Sequence, residues 1–155
     1  MTKGLARLLG LVGLLAIGGC ASQMVQKQLS DRCTAQGKRP FVVESTQAGI
    51  PLLIDTATAT AYCVGPDDIV HTDSAFGVEL VGATEIHGAG VMDVSPNSVA
   101  GRAGIKAGDV IVEYAGQPIG RPEDLKTALA KSSAGDRVQI TVRRNKKNIS
   151  TTAQF

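Results

Sequence analysis

Apolar and polar positions alternate most regularly in the second half of the chain. Val138, Ile140 and Val142 alternate with Arg137, Gln139 and Thr141, a period of two that predicts a half-buried strand over 137–142, with 148–155 as its hairpin partner. Gly90-Val91-Met92-Asp93-Val94 and Val110-Ile111-Val112-Glu113-Tyr114 predict two more strands, and Phe76-Gly77-Val78-Glu79-Leu80-Val81 reads as a loop running into another. Ser95-Pro96-Asn97, Gly108-Asp109 and Ala115-Gly116-Gln117-Pro118 supply the turns. Leu125, Ala128 and Leu129 share one face at i, i+3 and i+4, which predicts a helix over 122–131. Pro122 suits its first turn, Glu123 and Asp124 its positive end and Lys131 its negative end. Residues 98–103 predict a short helix stopped by Gly104 in the left-handed conformation. The pattern is mainly β with two helices (α+β), a small partly open barrel capped by a helix.

The first half is less regular. Residues 20–40 are polar and mixed and read as a tether with room for a short helix. Residues 41–73 read as a small β-rich region: Phe41-Val42-Val43-Glu44, Leu52-Leu53-Ile54 and Tyr62-Cys63-Val64 are short β-like runs, with a Thr/Ala tract over 55–61 and a turn at Gly65-Pro66-Asp67-Asp68. Before them, Lys3 and Arg7 precede an apolar run from Leu8 to Ile17, too short for a membrane span of about 20 residues but suited to a secretory leader over 1–19. Ile17-Gly18-Gly19-Cys20 resembles the lipobox of bacterial lipoproteins. That resemblance implies cleavage before Cys20 and acylation of its thiol, a palmitate-type anchor that holds the chain to a membrane at about 0.8 kcal/mol per buried methylene. The same resemblance, to Gram-negative lipoproteins, implies from Ala21 rather than Asp a place at the periplasmic face of the outer membrane.

At 155 residues the chain has room for one domain plus extras. With no Trp and 3% aromatic residues, its core must be built from Val, Ile, Leu and Ala. The formal charge of +2 falls to zero without Lys3 and Arg7, since 16 − 2 basic side chains then face 14 acidic ones. That balance gives no footprint for nucleic acid; Arg143-Arg144-Asn145-Lys146-Lys147 reads as a solvated hairpin tip. Beyond Cys20, Cys33 and Cys63 form an even remainder that predicts a disulfide in an oxidising compartment, with two buried thiols as the alternative. His71 and His87 show no metal-ligand spacing with them, and no metal or organic cofactor is implied.

Residues 74–155 resemble a PDZ domain. Phe76-Gly77-Val78 resembles the family's carboxylate-binding loop. Val91-Met92-Asp93-Val94-Ser95-Pro96-Asn97-Ser98-Val99-Ala100 resembles its strand, turn and short helix, and Ala103-Gly104-Ile105-Lys106-Ala107-Gly108-Asp109-Val110-Ile111 its most recognisable segment. The likeness is to the PDZ modules of periplasmic high-temperature-requirement (HtrA-type) serine proteases, here without the protease domain. It implies that a partner's C-terminal tail, or an exposed strand, adds beside Val78, Glu79 and Leu80. Its carboxylate would rest on backbone N–H groups near Phe76, Gly77 and Val78, and an apolar side chain in a pocket built from Val78, Leu80, Leu125, Ala128 and Leu129. The helix has no His at its start, so selectivity is expected from apolar pockets.

Two enzymatic readings compete. His71, Asp73 and Ser74 are adjacent along the chain with no Gly-rich nucleophile turn, and read as a polar linker rather than a triad. Ile54-Asp55-Thr56-Ala57 resembles the Asp-Thr-Gly loop of retropepsin-like proteases, with Ala57 in place of the Gly. A single loop of this kind needs a dimer to make a two-carboxylate site. The expectation is a non-enzyme, an adaptor or scaffold for an envelope protease or a secretion machine. The alternatives are a structural or assembly factor whose groove is closed or filled by its own segment, and a protease remnant centred on Asp55.

Overall fold

A computed structural model of the protein describes residues 21–50, 54–72, 75–82 and 86–155. The expected leader over 1–19 and Cys20 lie outside the described residues. Helix α1 spans Ala21–Thr34. It ends where Gly37 takes φ +68°, a conformation that costs glycine little, and the Lys38 N–H closes back on the Cys33 carbonyl at 2.9 Å. Cys33 is buried at the end of this helix and bonded to Cys63, with their Cα atoms 5.2 Å apart. The segment expected to be a tether therefore carries a 14-residue helix whose last turn is covalently fixed.

The partner of that disulfide is a long hairpin. Strand β1 (Arg39–Ile50) pairs antiparallel with β2 (Ile54–Val64), from Arg39 opposite Val64 to Ile50 opposite Ile54, with a bulge between Val42 and Glu44. The apolar runs predicted only its ends; the Thr/Ala tract between them is ladder too, because β-branched Thr suits an extended backbone. The hairpin's base packs on the rest of the chain. Phe41 and Val64 form a buried cluster with Val81, Ile86 and Val110. Gly90 makes room for it: a Cβ there would sit 2.9 Å from two ring carbons of Phe41.

After β2 the chain makes a 3₁₀ turn over Pro66–Asp68, where the Asp68 carboxylate accepts the Gly65 N–H at 3.0 Å. It then enters β3 (Ile69–His71), where the sequence reading had a polar linker at His71. The remaining strands are β4 (Val78–Val81), β5 (Ala89–Val94), β6 (Val110–Tyr114), β7 (Gln117–Pro118), β8 (Arg137–Arg144) and β9 (Lys147–Gln154). They form one open sheet in the order β3-β4-β5-β6-β8-β9, with β7 folded back on β6. Two helices pack with it, α2 (Val99–Arg102), capped by Ser98, and α3 (Pro122–Leu129). The helix count among described residues is thus three, α1 being the addition. The main core joins Val78, Leu80, Val91, Ile111, Ile140 and Val142 from the strands to Val99, Ala100, Leu125 and Leu129 from α2 and α3.

One polar cluster is buried at the rim of this core. The Asp109 side chain, 1% exposed, accepts the Lys106 N–H at 2.9 Å and both Nε and Nη2 of Arg144 at 2.6 Å. Nη2 also donates to the Gly104 carbonyl at 2.9 Å. The hydrogen bond to Asp109 holds the Arg144 guanidinium above its ordinary range, against a smaller opposing effect of burial. The pair clamps the 104–109 turn to the end of the β8–β9 hairpin.

Candidate functional site

The carbonyls of the loop before β4 turn toward α2. The carbonyls of Ala75, Phe76 and Gly77 accept hydrogen bonds from the N–H groups of Val99, Ala100 and Ser95, at 3.0, 3.2 and 2.8 Å. In a trans peptide the N–H points opposite to the carbonyl of the preceding residue. Three carbonyls turned toward α2 and its approach therefore turn the amides of Phe76, Gly77 and Val78 the other way, toward the outer edge of β4. Such a row of amides favours an anion without any cationic side chain. Gly77 permits the arrangement: its φ is +69°, and a Cβ would meet Ser98 Cβ at 2.4 Å. Phe76 anchors the loop below, fully buried, edge-on to Tyr114 and stacked on Phe155 with centroids 6.0 Å apart.

The outer edge of β4 carries a strand of the chain itself. β3 runs antiparallel to it, with Ile69 opposite Val81, Val70 opposite Leu80 and His71 opposite Glu79. At its end the Thr72 N–H donates to the Val78 carbonyl at 3.1 Å, and the Thr72 hydroxyl accepts the Val78 N–H at 3.0 Å. The two β3 side chains split between faces: Ile69 packs on the Phe41 cluster, Val70 on the main core. Val70 also shares a cleft of about 610 Å³ with Arg121, Pro122 and Glu123 at the start of α3. β3 thus lies along β4 and faces the N-terminal turn of α3, and it runs toward the row of amides.

Residues 74–154, a little over half the chain, match the sequence profile of the PDZ domain family. The chain belongs to the PDZ family. Among curated proteins, the PDZ segment is 37% identical over 60 residues to the periplasmic pH-dependent serine endoprotease DegQ of Escherichia coli K12, covering 39% of this chain and 13% of that one. It is 34% identical over 70 residues to a probable DegP-like periplasmic serine endoprotease of Rhizobium meliloti, covering 45% and 14%. The chain therefore spans about one-seventh of those relatives' own length. Among solved structures, the HtrA3 PDZ domain bound to a phage-derived ligand is 26% identical, with 57% of this chain and 64% of that one covered and a TM-score of 0.39. The HtrA-type protease AlgW with a decapeptide is 16% identical, with 74% and 41% covered and a TM-score of 0.45.

Within the PDZ domain, the residues singled out from sequence converge. Phe76, Val78, Leu80, Leu125 and Leu129 are buried in one core, and Ala128 packs against it half-buried. In this arrangement Leu125 and Leu129, 0% and 5% exposed, are covered rather than open to a ligand. Glu79 is partly exposed and bonded to Arg39 at 3.2 Å, with His71 Nδ1 at 3.8 Å. The residues missed were Ile69, Val70 and Thr72, which occupy the β4 edge. The only local signal for them was two β-branched apolar residues after a turn. Asp55 lies in β2 opposite Gly49, and Asp73 and Ser74 lie outside the described residues. Among the described residues no three His, Cys, Asp or Glu side chains gather as metal ligands.

Proposed function

We propose that this chain is a non-enzymatic lipoprotein of the bacterial envelope whose PDZ domain binds C-terminal tails or exposed strands of partner proteins. The groove is the edge of β4 facing α3, with Phe76, Gly77 and Val78 receiving the terminal carboxylate. Val78, Leu80, Leu125, Ala128 and Leu129 form the floor and wall once a strand is seated. Backbone pairing supplies affinity and alternate side chains supply selectivity. The observation that carries this reading is the row of three amides at the head of an edge on which a strand already lies in the antiparallel direction. Acyl chains on Cys20 would place the domain at the periplasmic face of the outer membrane, where an envelope protease or a secretion machine is the partner class. The periplasmic names of the relatives agree with an envelope location.

The test is a C-terminal peptide library presented to the lipid-free protein, with each binder repeated as its amide. Tail recognition predicts that binding is lost on amidation and in Gly77→Val. Acids and amides binding alike would refute it. A second reading, a closed groove serving as a structural or assembly surface, is favoured by the β3–β4 ladder itself. It predicts that no tail binds under any condition.

A further inference from the structure

We infer that residues 69–72 are a built-in pseudo-ligand, a strand that occupies the tail groove in cis and must leave before a tail can enter. The inference rests on the tail-binding reading above and adds its regulation and the form of its ligand.

Three observations converge on this segment. First, direction: β3 is antiparallel to β4 and runs toward the Phe76–Val78 amides, the same course an incoming tail must take to bring its carboxylate there. Secondly, the hydrogen-bond pattern: Thr72 offers its N–H to the Val78 carbonyl and its hydroxyl oxygen to the Val78 N–H, the hydroxyl also donating to that carbonyl at 3.0 Å. A C-terminal residue has an N–H and a carboxylate to offer at the same two points. The hydroxyl is a neutral substitute for that carboxylate, and bonds to an ionised acceptor are about twice as strong. Thirdly, the side chains: Val70, two residues before Thr72, faces Pro122 and Glu123 across the cleft at the start of α3 and packs on the core holding Leu125 and Leu129. The segment thus also reports the ligand's form, a β-branched apolar residue two positions before a small final one.

A cis strand on a short connection competes at an effective concentration in the millimolar range. A tail's apparent dissociation constant is then its intrinsic value divided by the fraction of molecules with β3 released. If 1–10% are released, roughly ten- to hundred-fold of affinity is hidden. Release need not unfold the domain: β3 is the terminal strand of the sheet, hydrogen-bonded to one neighbour, and its Ile69 and Val70 are partly buried at the edges of the two clusters rather than inside them.

The experiment uses the lipid-free chain and one probe, the free-acid heptapeptide Pro-Asp-Asp-Ile-Val-His-Thr, the sequence of 66–72, with its amide as reference. Thr72→Pro removes both the hydroxyl and the N–H that hold Val78 while leaving every groove residue in place. It should bind the acid at least ten-fold more tightly than the wild type, with amide exchange at Val78 and Leu80 accelerated. The converse variant, His71→Cys with Glu79→Cys, links an opposed pair across β3 and β4. Once oxidised, it should bind the acid at least ten-fold more weakly than His71→Ser with Glu79→Ser. Acid-selective binding of equal strength in wild type, Thr72→Pro and the locked variant overturns the gate and leaves tail recognition standing. If the acid fails to bind Thr72→Pro with Val78 exchange accelerated, or binds it no better than the amide, tail recognition falls and the gate with it. Should Thr72→Pro leave exchange unchanged, the locked variant decides: undiminished binding there overturns the gate.

Discussion

Replacing Asp109 by Ala removes the one anion among the buried groups of the 104–109 turn. Three donors lose their acceptor at once: the Lys106 amide at 2.9 Å, and Nε and Nη2 of Arg144 at 2.6 Å each. Removing one partner of a buried ion pair typically costs about 3–5 kcal/mol, because the other charge is left uncompensated. Arg144 is 29% exposed and keeps its bond to the Gly104 carbonyl, so part of its solvation is recoverable. That brings the expected cost somewhat below the full range, to about 2–4 kcal/mol. In a chain of this size that lowers Tm by roughly 4–16 °C, at about 2–4 °C per kcal/mol. Equilibrium urea unfolding of the reduced-background and oxidised proteins, followed by circular dichroism, measures it as a shift in midpoint at constant slope. The double-mutant cycle with Arg144→Ala isolates the pair, and a coupling energy of about 1–3 kcal/mol is expected for groups in direct contact. A loss below 1 kcal/mol in Asp109→Ala, or a coupling near zero, would show that the clamp does not hold the turn.

Three further outcomes are expected. Gly77→Ala should destabilise far more than Gly104→Ala. Both have positive φ, which costs a non-glycine residue about 1–3 kcal/mol, but only at Gly77 does a Cβ strike Ser98, whereas at Gly104 nothing lies within 4 Å; thermal melts of the two variants give the difference. Cys33→Ser with Cys63→Ser should lose about 3–4 kcal/mol, by the chain-entropy model for a loop with a separation of 30, and should make unfolding insensitive to reductant. Phe41→Ala should cost about 3–5 kcal/mol and, in hydrogen exchange, loosen the hairpin base and the adjoining Val81 and Val110 before the main core.

Much of the PDZ half was legible because its signals are local. Val110–Tyr114 is a β-branched, apolar-rich run between two turns, Pro122 opens a helix with acids in its first turn, and Gly104 closes α2 with φ +78°. What escaped is what depends on pairing across distance. Residues 55–60 look like a polar tract because no large side chain marks them; only the facing strand makes them a ladder. β3 holds two apolar residues, too few for a period, and its place was decided by the open edge of β4. Thr72 engages the backbone N–H and carbonyl of Val78 through its own N–H and hydroxyl, which no residue pattern announces. The Arg143–Lys147 stretch was read as a solvated tip, and Arg144 instead reaches Asp109, 35 positions away. Leu125 and Leu129 are visible for a related reason: they make one helix face whether that face meets a ligand or the domain's own core.

The disulfide has a mechanical consequence. Tension entering the chain from the N-terminal side passes down α1 to Cys33, crosses one sulfur–sulfur bond to Cys63, and reaches Ile69 through the short Pro66–Asp68 turn. The long hairpin, though it lies between the two cysteines in sequence, carries none of that covalent load. A pull on α1 is therefore delivered to β3 over a stiff route of a few residues. Reduction would reroute it through the hairpin, adding up to about 100 Å of slack at roughly 3.4 Å per residue. The same bond that stabilises the fold fixes how directly a force on one end is felt at the β3–β4 edge.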